Sequence, residues 1–261
     1  MISKGDLHAA QVVLRKAVSQ NPQNGEAYCW LGGVSFDLGD PVASETQASA
    51  AQARDYEPLL TLLRLLGQAL LAQAKFDAVL ATMQPIATDA KRDAMVQVLR
   101  GYALMGEQKL DAAETAFEAA ARLDPDAVEP PLAESRLALV RDDLATAQAR
   151  LNHALTLQPT APEALLAKAR LLRMRNQPAR AIAVLDGTLA AQPSLPDMVL
   201  ARLHRASLEI TQNILGSARS DIEAVLAVTP GNVPALYLQA AMAVQSKDYG
   251  PADARLERIA P

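Results

Sequence analysis

Aromatic residues are scarce in this chain: Phe, Trp and Tyr together make up 3% of its 261 residues. Thr and Ile are sparse as well, which excludes a β-sandwich or barrel as the default reading, because such cores draw on aromatic and β-branched side chains. A single cysteine, Cys29, rules out an intrachain disulfide and leaves the redox compartment unread. Surplus charge of either sign is also lacking. The net charge is −4 and the isoelectric point near 5.5, which gives no electrostatic reason to expect nucleic acid. The most apolar stretch, Leu59 to Ala74, is interrupted by Arg64 and is too short to cross a bilayer. The first residues, Met1-Ile2-Ser3-Lys4-Gly5-Asp6, lack the apolar segment of a secretory signal.

What is present is helix-forming. Half of the chain is apolar, and Ala and Leu supply most of that half. Both are strong helix formers, so the composition predicts an all-α chain. A charged fraction of 21% beside so much apolar surface excludes disorder. A core built from Ala lets helices approach closely, which suits stacked helices better than a wide interior.

Internal periodicity decides the architecture. Pro125, Pro159 and Pro193 are 34 residues apart, and Pro230 follows 37 later. Upstream of each lies the same pattern: Ala113, Phe117, Ala120; Ala147, Leu151, Ala154; Ala181, Leu185, Thr188; and Ala218, Ile222, Val225. Ala10, Leu14, Ala17 and Pro22 keep that spacing near the start. These residues resemble the tetratricopeptide repeat (TPR), whose second helix carries A-x3-F and whose turn carries a proline. Tyr28-Cys29-Trp30-Leu31-Gly32 resembles its first-helix motif, with Tyr where the family has Trp. The resemblance covers essentially the whole chain. It implies a right-handed superhelix, an α-solenoid of antiparallel helix pairs, because no pair buries its apolar face alone.

On that reading residues 1–261 form one solenoid of about seven and a half repeats, approximately 1–24, 25–58, 59–93, 94–127, 128–161, 162–198, 199–232 and 233–261. First helices are expected near 25–38, 59–73, 94–106, 128–140, 162–175, 199–212 and 233–246. Second helices are expected near 6–20, 41–54, 76–88, 110–122, 144–157, 178–191, 215–228 and 249–259. Pro130-Pro131 should delay or distort its first helix, and Pro85 should shorten or kink its second helix. The phase at the ends, with Leu7, Val13 and Leu14 expected to be exposed, reads as a piece of a longer repeat protein or as self-association through uncapped ends.

No chemistry-bearing constellation emerges. His8, His153 and His204 lie in different repeats, without Cys or carboxylate at metal-ligand spacing, so neither a metal nor a cofactor is expected. Asp142-Asp143 sits where a helix is about to begin and is read as a cap rather than an acid–base pair. Cys29 is read as a packed small residue and not a nucleophile. The chain is therefore expected to be no enzyme.

The TPR resemblance implies a concave groove lined by set positions of the first helices. Carried onto this sequence, fifth positions include Cys29, Leu63, Val98, Leu132, Leu166, Leu203 and Tyr237; ninth positions include Tyr102, Arg136 and Arg170; Arg173 follows one turn on. Tyr102, Arg136, Arg170, Arg173 and Tyr237 are the candidate binding residues for a protein or peptide partner. The Lys and Asn set with which some TPR domains hold a terminal carboxylate is absent. Arg136 and Arg170 occupy one position of adjacent repeats, where stacked helices ~10 Å apart would let them share an anionic group. Pairing with Glu129 and Glu163 is the alternative.

Several segments are also similar to the TPR lipoproteins beside bacterial exosortase and exopolysaccharide systems, the PEP-CTERM type. These are Glu57-Pro58-Leu59-Leu60, Gln73-Ala74-Lys75-Phe76-Asp77, Leu99-Arg100-Gly101-Tyr102-Ala103 and Ala235-Leu236-Tyr237-Leu238-Gln239-Ala240. That resemblance implies a periplasmic or lipid-anchored scaffold serving polysaccharide machinery or surface-protein sorting, with a cytoplasmic location as the alternative. The rival reading from another class is direct binding of an anionic polymer along the Arg-bearing groove.

Overall fold

A computed structural model describes residues 7–54, 56, 59–85, 89–191 and 195–246. Among these the chain forms fourteen α-helices and no strand, in two compact units, Met1–Leu157 and Gln158–Pro261. The first unit holds α1 (Leu7–Gln20), α2 (Gly25–Asp37), α3 (Pro41–Gln52), α4 (Leu59–Ala72), α5 (Phe76–Thr82), α6 (Ala90–Gly106), α7 (Leu110–Leu123), α8 (Glu129–Val140) and α9 (Leu144–Leu157). The second holds α10 (Pro162–Met174), α11 (Pro178–Ala190), α12 (Leu195–Thr211), α13 (Leu215–Val228) and α14 (Val233–Gln245). Even-numbered helices are the first helices of the repeats. Each from α2 to α12 packs against the second helix that follows it, and within a unit successive first helices also touch, among them α4 on α6, α6 on α8, α10 on α12 and α12 on α14.

The periodic residues make these contacts. Ala113, Phe117 and Ala120, Ala147, Leu151 and Ala154, and Ala181 and Leu185 all have no exposed surface, and Ala218, Ile222 and Val225 have at most 1%. Alanine at the crossing point lets paired helices approach, and the larger residue four positions on fills the space beside it. Gly101 sharpens this at the tightest contact, since a Cβ there would overlap the Phe117 ring. Ala10, Leu14 and Ala17 are only half-buried, because α1 packs against α2 alone. Val13 is exposed as expected, whereas Leu7 and Leu14 are half-covered by that contact.

The turn inside each repeat is periodic too. Gly39, Ala74, Gln108, Asp142, Asn176 and Asn213 all have positive φ, between 54° and 81°. In each case the next residue's N–H donates back five residues, as Asp40 to Ser35, Lys109 to Leu104 and Ile214 to Glu209, at 2.8–2.9 Å. This is the Schellman ending of a helix, which satisfies carbonyls the helix leaves open. New helices are then capped: Asn24 accepts from the Ala27 N–H, Asp40 from Ala43, and Asn232 from Ala235. Asp143 fulfils the expected capping role, its Oδ1 accepting from the N–H groups of Ala145 and Thr146 at 3.1 and 2.9 Å.

Two expectations are corrected and a third is met. Pro130-Pro131 neither delays nor distorts α8, which starts at Glu129 with both prolines in its first turn, where missing N–H groups cost nothing. First helices α6 and α12 begin four residues early, at Ala90 and Leu195, and Asp89 caps the former by accepting from the Arg92 N–H. Pro85 shortens its helix, as one of its two expected effects: α5 stops at Thr82, and the Arg100 guanidinium donates to the Leu80 and Met83 carbonyls at 2.9 and 3.0 Å. The helix expected at 249–259 lies outside the described residues.

Candidate functional site

Helix period decides which candidate residues face outward. Fifth positions Cys29, Leu63, Val98, Leu132, Leu166 and Leu203 are buried and belong to the core, so they line no groove; Tyr237 alone of that set is exposed, at 61%. Leu and Val at these positions pack between neighbouring helices, where burial gains more than a peptide contact would. Ninth positions do face outward. Arg136 and Arg170 are exposed and Tyr102 is half-buried.

In the first unit the outward charges are engaged internally. The Arg136 guanidinium lies over the Tyr102 ring, 5.5 Å from its centroid, and Tyr102 meets the buried Phe117 ring edge-on at 5.4 Å. Glu129 does not pair with Arg136; Arg64 of α4 donates to it at 3.3 Å.

In the second unit, Arg170 and Arg173 of α10 and His204 and Ser207 of α12 line a cavity of about 290 Å³ floored by Ala169, Leu185 and Leu208. Among the described residues no carboxylate pairs with Arg170 or Arg173, and Glu163 makes no ion pair with either. Burial, and then the Arg170 and Arg173 charges, push the His204 imidazole below the ordinary histidine range. Arg136 belongs to the first unit and Arg170 to the second; within the second unit the groups beside Arg170 are those that α12 supplies.

Arg202 and Arg205 of the second unit are consumed. Asp221 of α13, 1% exposed at its side chain, accepts from Arg205 through both carboxylate oxygens at 2.7 Å and from Arg202 at 2.6 Å. Arg205 also donates to Asp186 of α11 at 2.6 Å, and these partners hold its guanidinium above the usual arginine value. The neighbouring Glu209 is buried, accepts from the Ser217 hydroxyl at 2.8 Å, and has its carboxyl pushed up by burial. Among the described residues no group of three His, Cys, Asp or Glu is placed to hold a metal ion, and no helix is long and apolar enough to cross a membrane.

A sequence profile of the tetratricopeptide repeat matches residues 2–58, 64–128 and 132–196. The chain belongs to the tetratricopeptide repeat family. A comparison with curated proteins gives no match. Among solved structures, TPR folds similar to this one include yeast Tom70, at TM-score 0.64 and 18% identity over 96% of this chain and 54% of that one. PilW, a widely conserved type IV pilus biogenesis factor, is similar at TM-score 0.58 and 23% identity over 63% of this chain and 75% of its own. A TPR protein from Parabacteroides merdae is similar at TM-score 0.55 and 18% identity, covering 90% and 92% of the two chains. This chain thus spans about half the length of Tom70. At these identities the likeness is one of fold.

Knowing the repeat explains what reading by motif missed. Tyr102, Arg136 and Arg170 succeed one another at 34 residues, whereas the next repeat is offset by 37, as Asn176 to Asn213 and Pro193 to Pro230 are. In that register Ser207, not His204, stands at the position Arg170 holds, so the cavity joins different repeat positions of α10 and α12. His204, set aside as a lone histidine, falls at the position of Ala167, so no periodic signal marked it. Asp221 and its two arginines carry no periodic signal, because nothing similar recurs in the other repeats.

Proposed function

We propose that this TPR chain is a non-catalytic scaffold that binds an extended segment of a protein partner on the outward face of its first helices. One observation carries the reading: Arg170, Arg173 and Tyr237 stand outward on first helices without a carboxylate partner, while comparable arginines nearby are locked into the fold. Outward side chains that the fold does not use are available to a ligand, and in repeat proteins a linear array of such positions suits a linear ligand.

A photo-crosslinking amino acid placed at Tyr237, and in a second variant at Arg219 on the exposed side of α13, tests this in cell extract from the native host. The first position should capture a discrete protein partner and the second should not. Capture from Arg219 alone would move the binding surface to the second helices and overturn the proposal.

A second reading is favoured by the unpaired guanidinium groups of Arg170 and Arg173: direct binding of an anionic polymer. An array of acidic polysaccharides beside acidic peptides separates the two. The similarity of several segments to exosortase-associated TPR proteins adds a candidate setting, an envelope assembly for polymer export or surface-protein sorting, and rests on that similarity alone.

A further inference from the structure

The cavity between α10 and α12 has the makings of a site for one particular kind of group. Arg170 and Arg173 are one helical turn apart on the same helix, so both guanidinium groups reach the same opening. On the facing helix His204 and Ser207 repeat that spacing, and they bring an imidazole and a hydroxyl to the other wall. The floor is apolar, so an anion seated there is shielded from water on one side.

Two described acids of the neighbouring helices are committed elsewhere. Asp221 on α13 is taken by Arg202 and Arg205, and Asp186 on α11 by Arg205. Arg180 of α11 donates to Gln177, Arg219 and Glu223 of α13 are exposed, and α14 carries no charged residue. On α10 itself Glu163 is seven residues from Arg170, two turns along the helix, and Lys168 is half-buried. Of all these groups, Arg170 and Arg173 are the charges that act on His204.

We propose that this cavity is an oxyanion site that takes a doubly charged phosphate monoester group, with Arg170 and Arg173 donating from one wall and His204 and Ser207 from the other. Two fixed positive charges with no carboxylate partner among the described residues match a dianion better than a single carboxylate, and guanidinium forks fit tetrahedral phosphate oxygens through paired N–H donors. Burial, and then two like charges, disfavour the protonated His204 imidazole; an entering dianion opposes that repulsion and favours an imidazole that takes up a proton and donates. The same chemistry is offered by free inorganic phosphate and by a phosphorylated side chain of a partner. The proposal commits to the second, and in that it rests on the protein-binding reading above.

The test follows the imidazole resonances of His8, His153 and His204 by NMR in the full chain. Inorganic phosphate is titrated first, then a phosphoserine peptide, then the same peptide with Glu in place of phosphoserine. Phosphate should move the His204 resonance selectively and raise the pH at which it titrates. The phosphoserine peptide should bind at least about tenfold more tightly than the Glu peptide. Arg170→Gln with Arg173→Gln should abolish both effects while the helical circular dichroism is unchanged, and Arg219→Gln, a matched loss of charge on α13, should leave them intact. A His204 that ignores phosphate, or that responds equally in the double variant, overturns the site. Equal affinity for the Glu peptide overturns the dianion assignment, and binding of inorganic phosphate without the phosphopeptide overturns the partner. The crosslinking experiment reports on the whole face without reference to this cavity, so failure of one is distinguishable from failure of the other.

Discussion

The two units solve one packing problem with different chemistry. In the first, aromatic rings hold the pairs together: Phe117 is fully buried, presses on Gly101 and meets Tyr102 edge-on. The second has no Phe or Trp at all. It fastens α11, α12 and α13 with a buried carboxylate, Asp221, held by Arg202 and Arg205 with Asp186 at the rim. The outward faces differ in the opposite sense. In the first unit Arg64 is satisfied by Glu129 and Arg136 by Tyr102, while in the second Arg170 and Arg173 have no carboxylate. The second unit buries Asp221 and Glu209 and has a basic cavity at Arg170 and Arg173.

Breaking each fastening should have the largest effect. Phe117→Ala leaves a ring-sized void at a site walled by Gly101 and should cost about 4 kcal/mol. Asp221→Ala strands two partly buried guanidinium groups and should cost about 3 kcal/mol. Urea denaturation followed by circular dichroism measures both. The contrast is sharpened by repair: adding Arg205→Met to Asp221→Leu removes a stranded charge and should recover part of the loss, because apolar groups of similar volume can replace a buried ion pair. A cost below about 1 kcal/mol for Asp221→Ala would reduce the cluster to an ordinary surface pair.

A smaller difference lies in the turns. Both units bend the chain through a residue with positive φ, but the second uses Asn176 and Asn213, whereas the first uses Gly39, Ala74, Gln108 and Asp142. Asparagine tolerates this left-handed conformation; glutamine pays in strain between its Cβ and the backbone. Gln108→Gly should therefore stabilise the first unit by up to ~1 kcal/mol, the relief of strain outweighing the added freedom of the unfolded chain. Asn213→Gly should change stability by only a few tenths of that, roughly within error. Equal effects at the two positions would show that the turn, not its residue, sets the strain.

Periodic features were legible in advance and solitary ones were not. The Ala–Leu–Ala triplets and prolines placed the helices to within a few residues, since identical packing needs impose identical spacing. Helix starts at Ala90 and Leu195 ran earlier than expected because the repeat period says nothing of how far a helix extends before it meets its neighbour. Tyr102, Arg136 and Arg170 were found through the register, whereas the 37-residue offset of the next repeat takes His204 out of it. The fifth positions were carried over from the family as groove residues, yet Leu and Val there already signalled burial. Asp221 looked like any helix acid, because a buried charge is recognised only once its arginines are seen around it.

The smallest expected effect concerns the open cavity, and its value lies in its sign. Arg170→Ala with Arg173→Ala removes exposed side chains without carboxylate partners, so at pH 7 stability should stay within about 0.5 kcal/mol of the parent. Acidification separates the two proteins. Burial, then the two arginines, lowers the folded-state value of His204, so below the ordinary histidine range the unfolded chain binds a proton that the folded chain resists. Folded stability therefore falls as the pH drops through that range, and the protein with both arginines should lose more of it. The double variant keeps the burial contribution but not the repulsion, so its urea midpoint should decline less between pH 7 and pH 5. A steeper decline in the variant would mean that the arginines relieve His204 instead of opposing it, and the cavity would then hold no uncompensated charge for an anion to neutralise.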